Sequence, residues 1–227
     1  MTTRRGMIGL LVGGSAAGIL NGCNPFSATR SYRYRLTVVG EHTGSAVYEV
    51  LASHSQFVLL SQEKLGGSGI KGDALVLETP LGLIFLIPGK ASNRSEDMIG
   101  LVTHTLASDI PMGGHDNFWR AVGRLGSVFG AAKAELPRAY WPMMVRFRDL
   151  TDPTSIEQVD PEAIGASRII VETTDDNVTT GIEKRFPPWF LAVLKKGARF
   201  NGNTSIAVSI SGGLAEEYGP DLLSSRF

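Results

Sequence analysis

The 227-residue chain contains a single cysteine, Cys23, and carries no excess of charge of either sign. One thiol cannot form an intramolecular disulfide, so a folded domain of this chain must be stable without such a crosslink. The 22 Lys and Arg residues balance the 22 Asp and Glu residues, and no long basic run is present. We therefore expect neither a nucleic-acid-binding surface nor a polybasic patch that holds the chain to anionic lipid.

The chain also lacks an apolar run long enough for a transmembrane helix, which needs about 20 residues. Its most apolar early segment, residues 6–20, is shorter and contains five glycines, each of which lowers helix stability. The segment follows Arg4 and Arg5, and a cationic start before a short apolar stretch is typical of a secretory signal peptide. We therefore predict that residues 1–22 are a signal peptide.

The four residues Leu20-Asn21-Gly22-Cys23 resemble the lipobox of bacterial lipoproteins. The resemblance implies that the Cys23 thiol carries diacylglycerol, that the chain is cut just before Cys23, and that the new N-terminus is acylated, for example with palmitate. Two or three acyl chains anchor a soluble domain stably, whereas one gives only marginal membrane binding. Residues 23–31 are then a lipid-anchored tether. The alternative is that Cys23 is an ordinary free thiol in a loop.

The N-terminal segment also bears on the route of export and on the destination. Residues 3–8 resemble a twin-arginine signal, which would export the chain already folded, and the general export route is equally open. Both routes lead to the bacterial cell envelope, with the domain facing the periplasm. The choice between the inner and the outer membrane stays open.

Residues 32–227 predict a globular domain that begins with strands. Apolar and polar side chains alternate over residues 32–52, which is typical of a half-buried β-hairpin. Residues 74–89 are almost continuously apolar around a Thr-Pro-Leu-Gly turn and predict two strands that are buried on both faces. Between them, residues 57–65 predict a further strand and the glycine-rich residues 66–73 a flexible connection.

The middle and the end of the domain add helices and more strands. Apolar side chains at helical spacing follow Asp97, Asp116 and Pro188, so each of these residues predicts the start of a helix. Short apolar runs within residues 145–173 predict strands, and residues 204–210 a weak one. The order of strands, helices, strands and helix predicts an α+β fold with mainly antiparallel sheet and two to three helices, as one domain or two closely joined halves.

Two blocks are distinctive, VRFRDLTDPTSIEQVDP (residues 145–161) and VETTDDNVTTGIEKRFPPW (residues 171–189), and they accompany the N-terminal strand YRYRLTV. Together they resemble a family of proteobacterial exported or phage-neighbouring proteins that has no assigned activity. The resemblance covers most of residues 32–190. It implies a coherent exported domain in which the acidic-proline and Thr-Thr-Gly-Ile-Glu-Lys segments matter, and it transfers no functional residues.

Asp149, Asp152 and Asp160 occupy predicted turns, and the last two directly precede a proline. A residue before proline is kept out of the α region, and an Asp side chain accepts backbone N–H bonds in such turns. The simplest interpretation is that these carboxylates stabilise turns. The alternative is a site for a hard cation such as Ca²⁺, which takes six or more oxygen ligands and which residues 175–177 could join.

Side chains of catalytic type are densest between residues 104 and 116. His104, Asp109, His115 and Asp116 supply two imidazoles and two carboxylates, which suffice to ligate zinc or to place a base beside an orienting acid. No HExxH spacing accompanies them. The alternative for His115 and Asp116 is that they form a helix N-terminus, with Asp116 as the cap. The alternative for His104, which lies on an apolar helix face, is a structural role in place of metal binding.

The function that we expect is that of a non-enzymatic lipoprotein of the cell envelope, anchored at Cys23, that binds another protein or an envelope component. No catalytic residue, cofactor or nucleic-acid partner is expected. The glycine-rich residues 66–73 lack the Lys-Ser/Thr end and the following helix of a phosphate-binding loop. The alternative is a metal-assisted hydrolase built on the two histidines and two aspartates described above.

Overall fold

The structure is a computed structural model that describes residues 27–56, 64–92, 97–202, 214, 218 and 223–225. The predicted signal peptide, Cys23 and the first residues of the tether lie outside the described residues. The same holds for most of the strand predicted over residues 57–65 and for the weak strand predicted over residues 204–210.

Strands come first along the described chain, and helices follow. The strands are β1 (Ser27–Gly40), β2 (Gly44–Gln56), β3 (Lys64–Asp73), β4 (Leu75–Thr79), β5 (Gly82–Ala91), β6 (Lys133–Glu135), β7 (Pro142–Phe147), β8 (Ile156–Gln158), β9 (Ala166–Thr173) and β10 (Ser224–Ser225). The α-helices are α1 (Met98–Leu106), α2 (His115–Leu125) and α3 (Trp189–Lys196). Short 3₁₀-helices are formed by Arg138–Tyr140, Pro153–Ser155, Pro161–Ile164 and Ile182–Arg185.

The strands form two antiparallel sheets. The larger sheet has the order β10-β3-β2-β1-β9-β6, and the smaller sheet has the order β4-β5-β7-β8. All pairs of neighbouring strands run antiparallel. The predicted α+β fold with mainly antiparallel sheet and two to three helices is therefore confirmed.

The N-terminal hairpin has the register that its alternating side chains predict. Tyr34 of β1 lies opposite Tyr48 of β2, and the face that carries both residues is buried. Arg33 and Arg35 lie on the opposite, more accessible face. β1 begins at Ser27, inside the range predicted as a tether, so the sheet starts only four residues after Cys23.

The flexible connection predicted over residues 66–73 is wrong, because these residues belong to β3. The strand pairs with β2 from Gln56, opposite Lys64, to Glu49, opposite Lys71. Pairing between strands uses backbone N–H and C=O groups, so a strand with few side chains can still be held by its neighbour. Because the glycines of β3 have no side chains, residues of neighbouring elements can approach the backbone of the strand closely.

The apolar side chains form two cores, one on each side of the smaller sheet. The first core lies between the larger sheet, α1, α2 and one face of the smaller sheet, and it includes Tyr34, Tyr48, Leu86 and Val122. The second core covers the other face of the smaller sheet with α3 and its flanking residues, and it is rich in aromatic rings: Phe85, Phe147, Phe186, Phe190 and Phe200. The prediction of two strands buried on both faces is confirmed for β5, whereas in β4 Val76 is only partly buried and Glu78 is exposed.

The predicted helix starts are confirmed in two of three cases. The Asp97 carboxylate caps α1 by accepting the backbone N–H of Ile99 at 3.0 Å, and Pro188 is the N-cap of α3, which ends at Gly197 in the left-handed conformation. The Asp cap predicted for the second helix is wrong. The helix begins at His115, Gly114 is the N-cap, and Asp116 lies in the first turn.

Candidate functional site

The candidate site is a cavity of about 370 Å³ between β3, α1 and the start of α2. Gly66, Gly67 and Ser68 of β3 line one wall. Because Gly66 has no side chain, the ring of His115 reaches its backbone: a Cβ atom at Gly66 would lie 1.8 Å from Cε1 of His115. The glycine-rich strand thus allows the first turn of α2 to approach the sheet.

The opposite wall comes from α1, α2 and the loop that joins them. α1 contributes Thr103 and His104, and the loop contributes Ile110 and Met112. Met112 is half exposed at the rim of the cavity. Apolar atoms dominate this lining, and the imidazoles of His104 and His115 and the amide of Asn117 provide hydrogen-bonding groups within it.

His115 is paired with His54, which the sequence analysis did not select. Nδ1 of His54 lies 3.0 Å from Nε2 of His115, and the two rings are stacked with centroids 5.2 Å apart. Such a hydrogen bond needs an N–H on one ring and an unprotonated nitrogen on the other.

Trp119 and Arg30 extend this pair along α2 to β1. The Trp119 ring lies 5.5 Å from the His54 ring, and the Arg30 guanidinium lies over the indole at 4.5 Å from its centroid. Arg30 also donates a hydrogen bond to the Trp119 carbonyl at 3.3 Å. These contacts attach the middle of α2 to β1 and so fix the helix that supplies His115.

His104 lies on α1 at the cavity, and its Nδ1 atom is buried. Within the described residues this atom has no hydrogen-bond partner. Buried polar atoms are nearly always hydrogen-bonded in folded proteins, so this atom is an exception. Other atoms of the His104 side chain line the cavity.

The two aspartates of the predicted cluster do not line the cavity. Asp109 forms an ion pair with Arg124 of α2, and this guanidinium holds the pKa of Asp109 below its ordinary value. Asp116 is exposed on the first turn of α2. In the described part of the chain, no group of three or more His, Cys, Asp or Glu side chains is arranged to hold a metal ion. The structure thus brings together His104 and His115 only.

Two of the three turn carboxylates accept hydrogen bonds from residues two positions further along the chain. Asp149 accepts the backbone N–H and the hydroxyl of Thr151 at 2.8 and 2.7 Å, and these bonds lower its pKa. Asp152 makes the same two contacts with Thr154. Asp160 is the N-cap of the 3₁₀-helix Pro161–Ile164, without a side-chain bond to it. The geometry of Asp149 and Asp152 is that of Asx turns, the simplest interpretation of these residues, whereas Asp160 makes no such side-chain bond.

The residues that the sequence analysis missed are His54, Trp119, Arg30 and the glycines of β3. For His54 a signal is present in the sequence, because it continues the alternation that places Val50 and Ala52 on the buried face of β2. The contact between Gly66 and His115 has no local signal, since the two residues are far apart in the chain.

Comparisons with family models, with curated proteins and with solved structures give no match. None of the helices among the described residues is both long and apolar enough to cross a membrane.

Proposed function

We propose that the chain is a lipid-anchored binding protein of the bacterial cell envelope, and that its folded domain takes an envelope component into the cavity between β3, α1 and α2. The cavity is the observation that carries this proposal. Concave sites of a few hundred Å³ with mainly apolar walls and a few polar groups are typical of binding sites for small ligands.

The lining indicates the chemistry of the ligand. Ile110, Met112 and Phe118 offer apolar contacts, whereas His104 and His115 offer ring nitrogens. A molecule with an apolar body and one hydrogen-bonding group satisfies both parts of this lining. Amphiphilic components of the envelope have this composition, and a simple metabolite with many charges does not.

The cavity lies beside the end of the sheet that is nearest to Cys23 in the chain, which favours a ligand that comes from the membrane or its surface. His54 lies opposite Ala28, at the beginning of β1. The four steps from Cys23 to Ser27 span at most about 14 Å when fully extended. A lipid on Cys23 therefore keeps this end of the sheet, and the cavity beside it, close to the membrane surface.

The anchor is tested by replacing Cys23 with Ala in the native host. We expect the variant to leave the membrane fraction. Mass spectrometry of the protein without this substitution should show an acylated N-terminal Cys23. A Cys23→Ala protein that stays fully membrane-bound, or a native protein with a free thiol and an intact leader segment, would contradict the proposal.

The binding function is tested by photo-crosslinking in the cell. A photo-reactive phenylalanine analogue replaces Met112 at the rim of the cavity, and in a matched control it replaces Leu81, which is exposed to a similar degree in the β4–β5 turn. We expect a defined adduct with an envelope component from position 112 and none from position 81. Equal labelling at both positions, or none at either, would contradict a ligand in the cavity.

A further inference from the structure

The turn that follows α2 presents two apolar side chains to solvent. Val128 and Phe129 are 93% and 92% exposed, whereas the other exposed large apolar side chains among the described residues are at most 50% exposed. The backbone N–H of Gly130 donates to the Ser127 carbonyl at 2.8 Å, and the Ser127 hydroxyl donates to the Arg124 carbonyl at 2.7 Å. Residues 127–130, the apolar turn, are thus held in a fixed conformation with both side chains at the tip.

The apolar turn lies beside the first third of β1. Gly126, which leads into it, approaches the strand so closely that a Cβ atom there would lie 2.2 Å from the Ser31 carbonyl oxygen. Val128 lines a surface pocket together with Ser31 and Arg33. Four residues of extended strand separate Ser31 from Ser27, a distance of about 13 Å. The tip is therefore near the end of the strand where the chain arrives from Cys23.

We propose that the apolar turn inserts Val128 and Phe129 into the interfacial region of the membrane to which Cys23 is anchored, and so fixes the orientation of the domain on the bilayer. The inference rests on the proposed function, because the lipid on Cys23 brings the turn to the membrane. The segment of four residues before Ser27 is short enough to hold the start of β1 within about 14 Å of the lipid.

The chemistry of this surface fits a bilayer. Exposed apolar side chains at a tip mark sites of contact with membranes or proteins, and interfacial segments combine such side chains with cations that meet anionic headgroups. Arg30, one residue before Ser31, is exposed, and its guanidinium, which lies over the Trp119 ring, places a positive charge at the same end of β1. Acyl chains on Cys23 give affinity but leave the domain free to rotate. A second, rigid contact removes that freedom.

The test uses the full lipidated chain in vesicles of phosphatidylethanolamine and phosphatidylglycerol. Acylation blocks Cys23, so Phe129→Cys provides the free thiol for an environment-sensitive fluorophore, and Leu191→Cys on α3 is the matched control at another exposed apolar residue. We expect spin-labelled lipid to quench most of the emission from position 129 and to leave the emission from position 191 unchanged.

Equal emission changes at the two positions would overturn the membrane contact. A blue-shifted signal at position 129 in native membranes that spin-labelled lipid does not quench in vesicles would also overturn it, because a partner protein then covers the turn. Failure of the proposed function gives a different result. In that case Cys23 has a free thiol, so the chain without any introduced cysteine would react with the fluorophore. That result would contradict both the anchor and the membrane contact.

Discussion

The carboxylate of Asp73 accepts a hydrogen bond from the backbone N–H of Gly181 at 2.6 Å, and a second one from Ile182 at 3.0 Å. Asp73 is the last residue of β3 and is 1% exposed. The N–H groups at the start of a helix lack intrahelical acceptors, and here the carboxylate supplies one for the 3₁₀-helix Ile182–Arg185. The Thr-Thr-Gly-Ile-Glu-Lys segment is thereby fastened to the larger sheet.

Replacing Asp73 with Ala removes this acceptor from the part-buried N–H of Gly181 and the buried N–H of Ile182. Hydrogen bonds to a charged partner contribute about 1.5–3 kcal/mol each, so we expect the free energy of unfolding to fall by about 3 kcal/mol. Urea denaturation of the full chain measures this change. Glu78→Ala is the matched control, because it breaks an exposed ion pair between Arg185 of the same 3₁₀-helix and β4. That variant should lose at most about 1 kcal/mol, and equal losses would contradict the role of Asp73.

The elements that could be predicted from the sequence are those whose signals are local. Alternation over residues 32–52 gives the hairpin and its buried face, and the Thr-Pro-Leu-Gly turn separates β4 from β5. Asp97 and Gly197 carry the end signals of α1 and α3 in their own side-chain and backbone chemistry. Such signals need no knowledge of the rest of the chain.

The candidate site depends on contacts between distant residues, which is why only part of it could be predicted. The sequence indicates His104 and His115 by residue type, but His54 and Gly66 become relevant only after β2 and β3 pair. Asp109 has the side chain of a catalytic acid, and its pairing with Arg124 depends on how α1 and α2 pack. The glycines of β3 suggested flexibility because local propensity contains no information on a neighbouring strand.

Gly66→Ala tests whether the shape of the cavity depends on the absence of a side chain at residue 66 of β3. The new Cβ overlaps the His115 ring, so the ring must move, and we expect a loss of about 1–3 kcal/mol in the free energy of unfolding. The NMR signals of the His54 and His115 ring protons should shift as their hydrogen bond is broken. Thermal denaturation and proton NMR measure the two effects.

The control for this experiment is Gly69→Ala on the same strand. A Cβ atom at Gly69 makes only an ordinary contact, 3.9 Å from Leu51. Alanine is more favourable than glycine in a strand by roughly 0.5–1 kcal/mol, so this variant should be neutral or slightly stabilised. If both variants behaved alike, the close approach of His115 to Gly66 would not determine the shape of the cavity.

The ion pairs of Glu172 make the free energy of unfolding depend on pH in the acidic range. Lys133 and Arg35 donate to its two carboxylate oxygens at 2.9 and 2.8 Å, and they hold the pKa of Glu172 below its ordinary value of 4.5. A lowered pKa stabilises the folded state above the ordinary value, and this contribution is lost as the pH falls through the folded-state pKa. We therefore expect Glu172→Gln to be less stable than the unmodified chain at neutral pH, with a difference that shrinks below pH 4.5. Urea unfolding across this pH range measures it, and parallel curves would contradict the assignment.

Tyr34 is expected to behave in the opposite way, in alkali. Its ring is fully buried, its hydroxyl has no hydrogen-bond partner within the described residues, and burial raises its pKa well above the ordinary value of 10.0. Tyr34→Phe keeps the ring and removes the unpartnered hydroxyl, so we expect a gain of about 1 kcal/mol at neutral pH. Above pH 10 the unfolded tyrosine ionises and the folded one does not, so stability falls as the pH rises. In urea unfolding above pH 10, the free energy of unfolding of the chain with Tyr34 should therefore fall by about 1.4 kcal/mol more per pH unit than that of Tyr34→Phe. A destabilised variant at neutral pH would show that the hydroxyl has a partner that stabilises the fold.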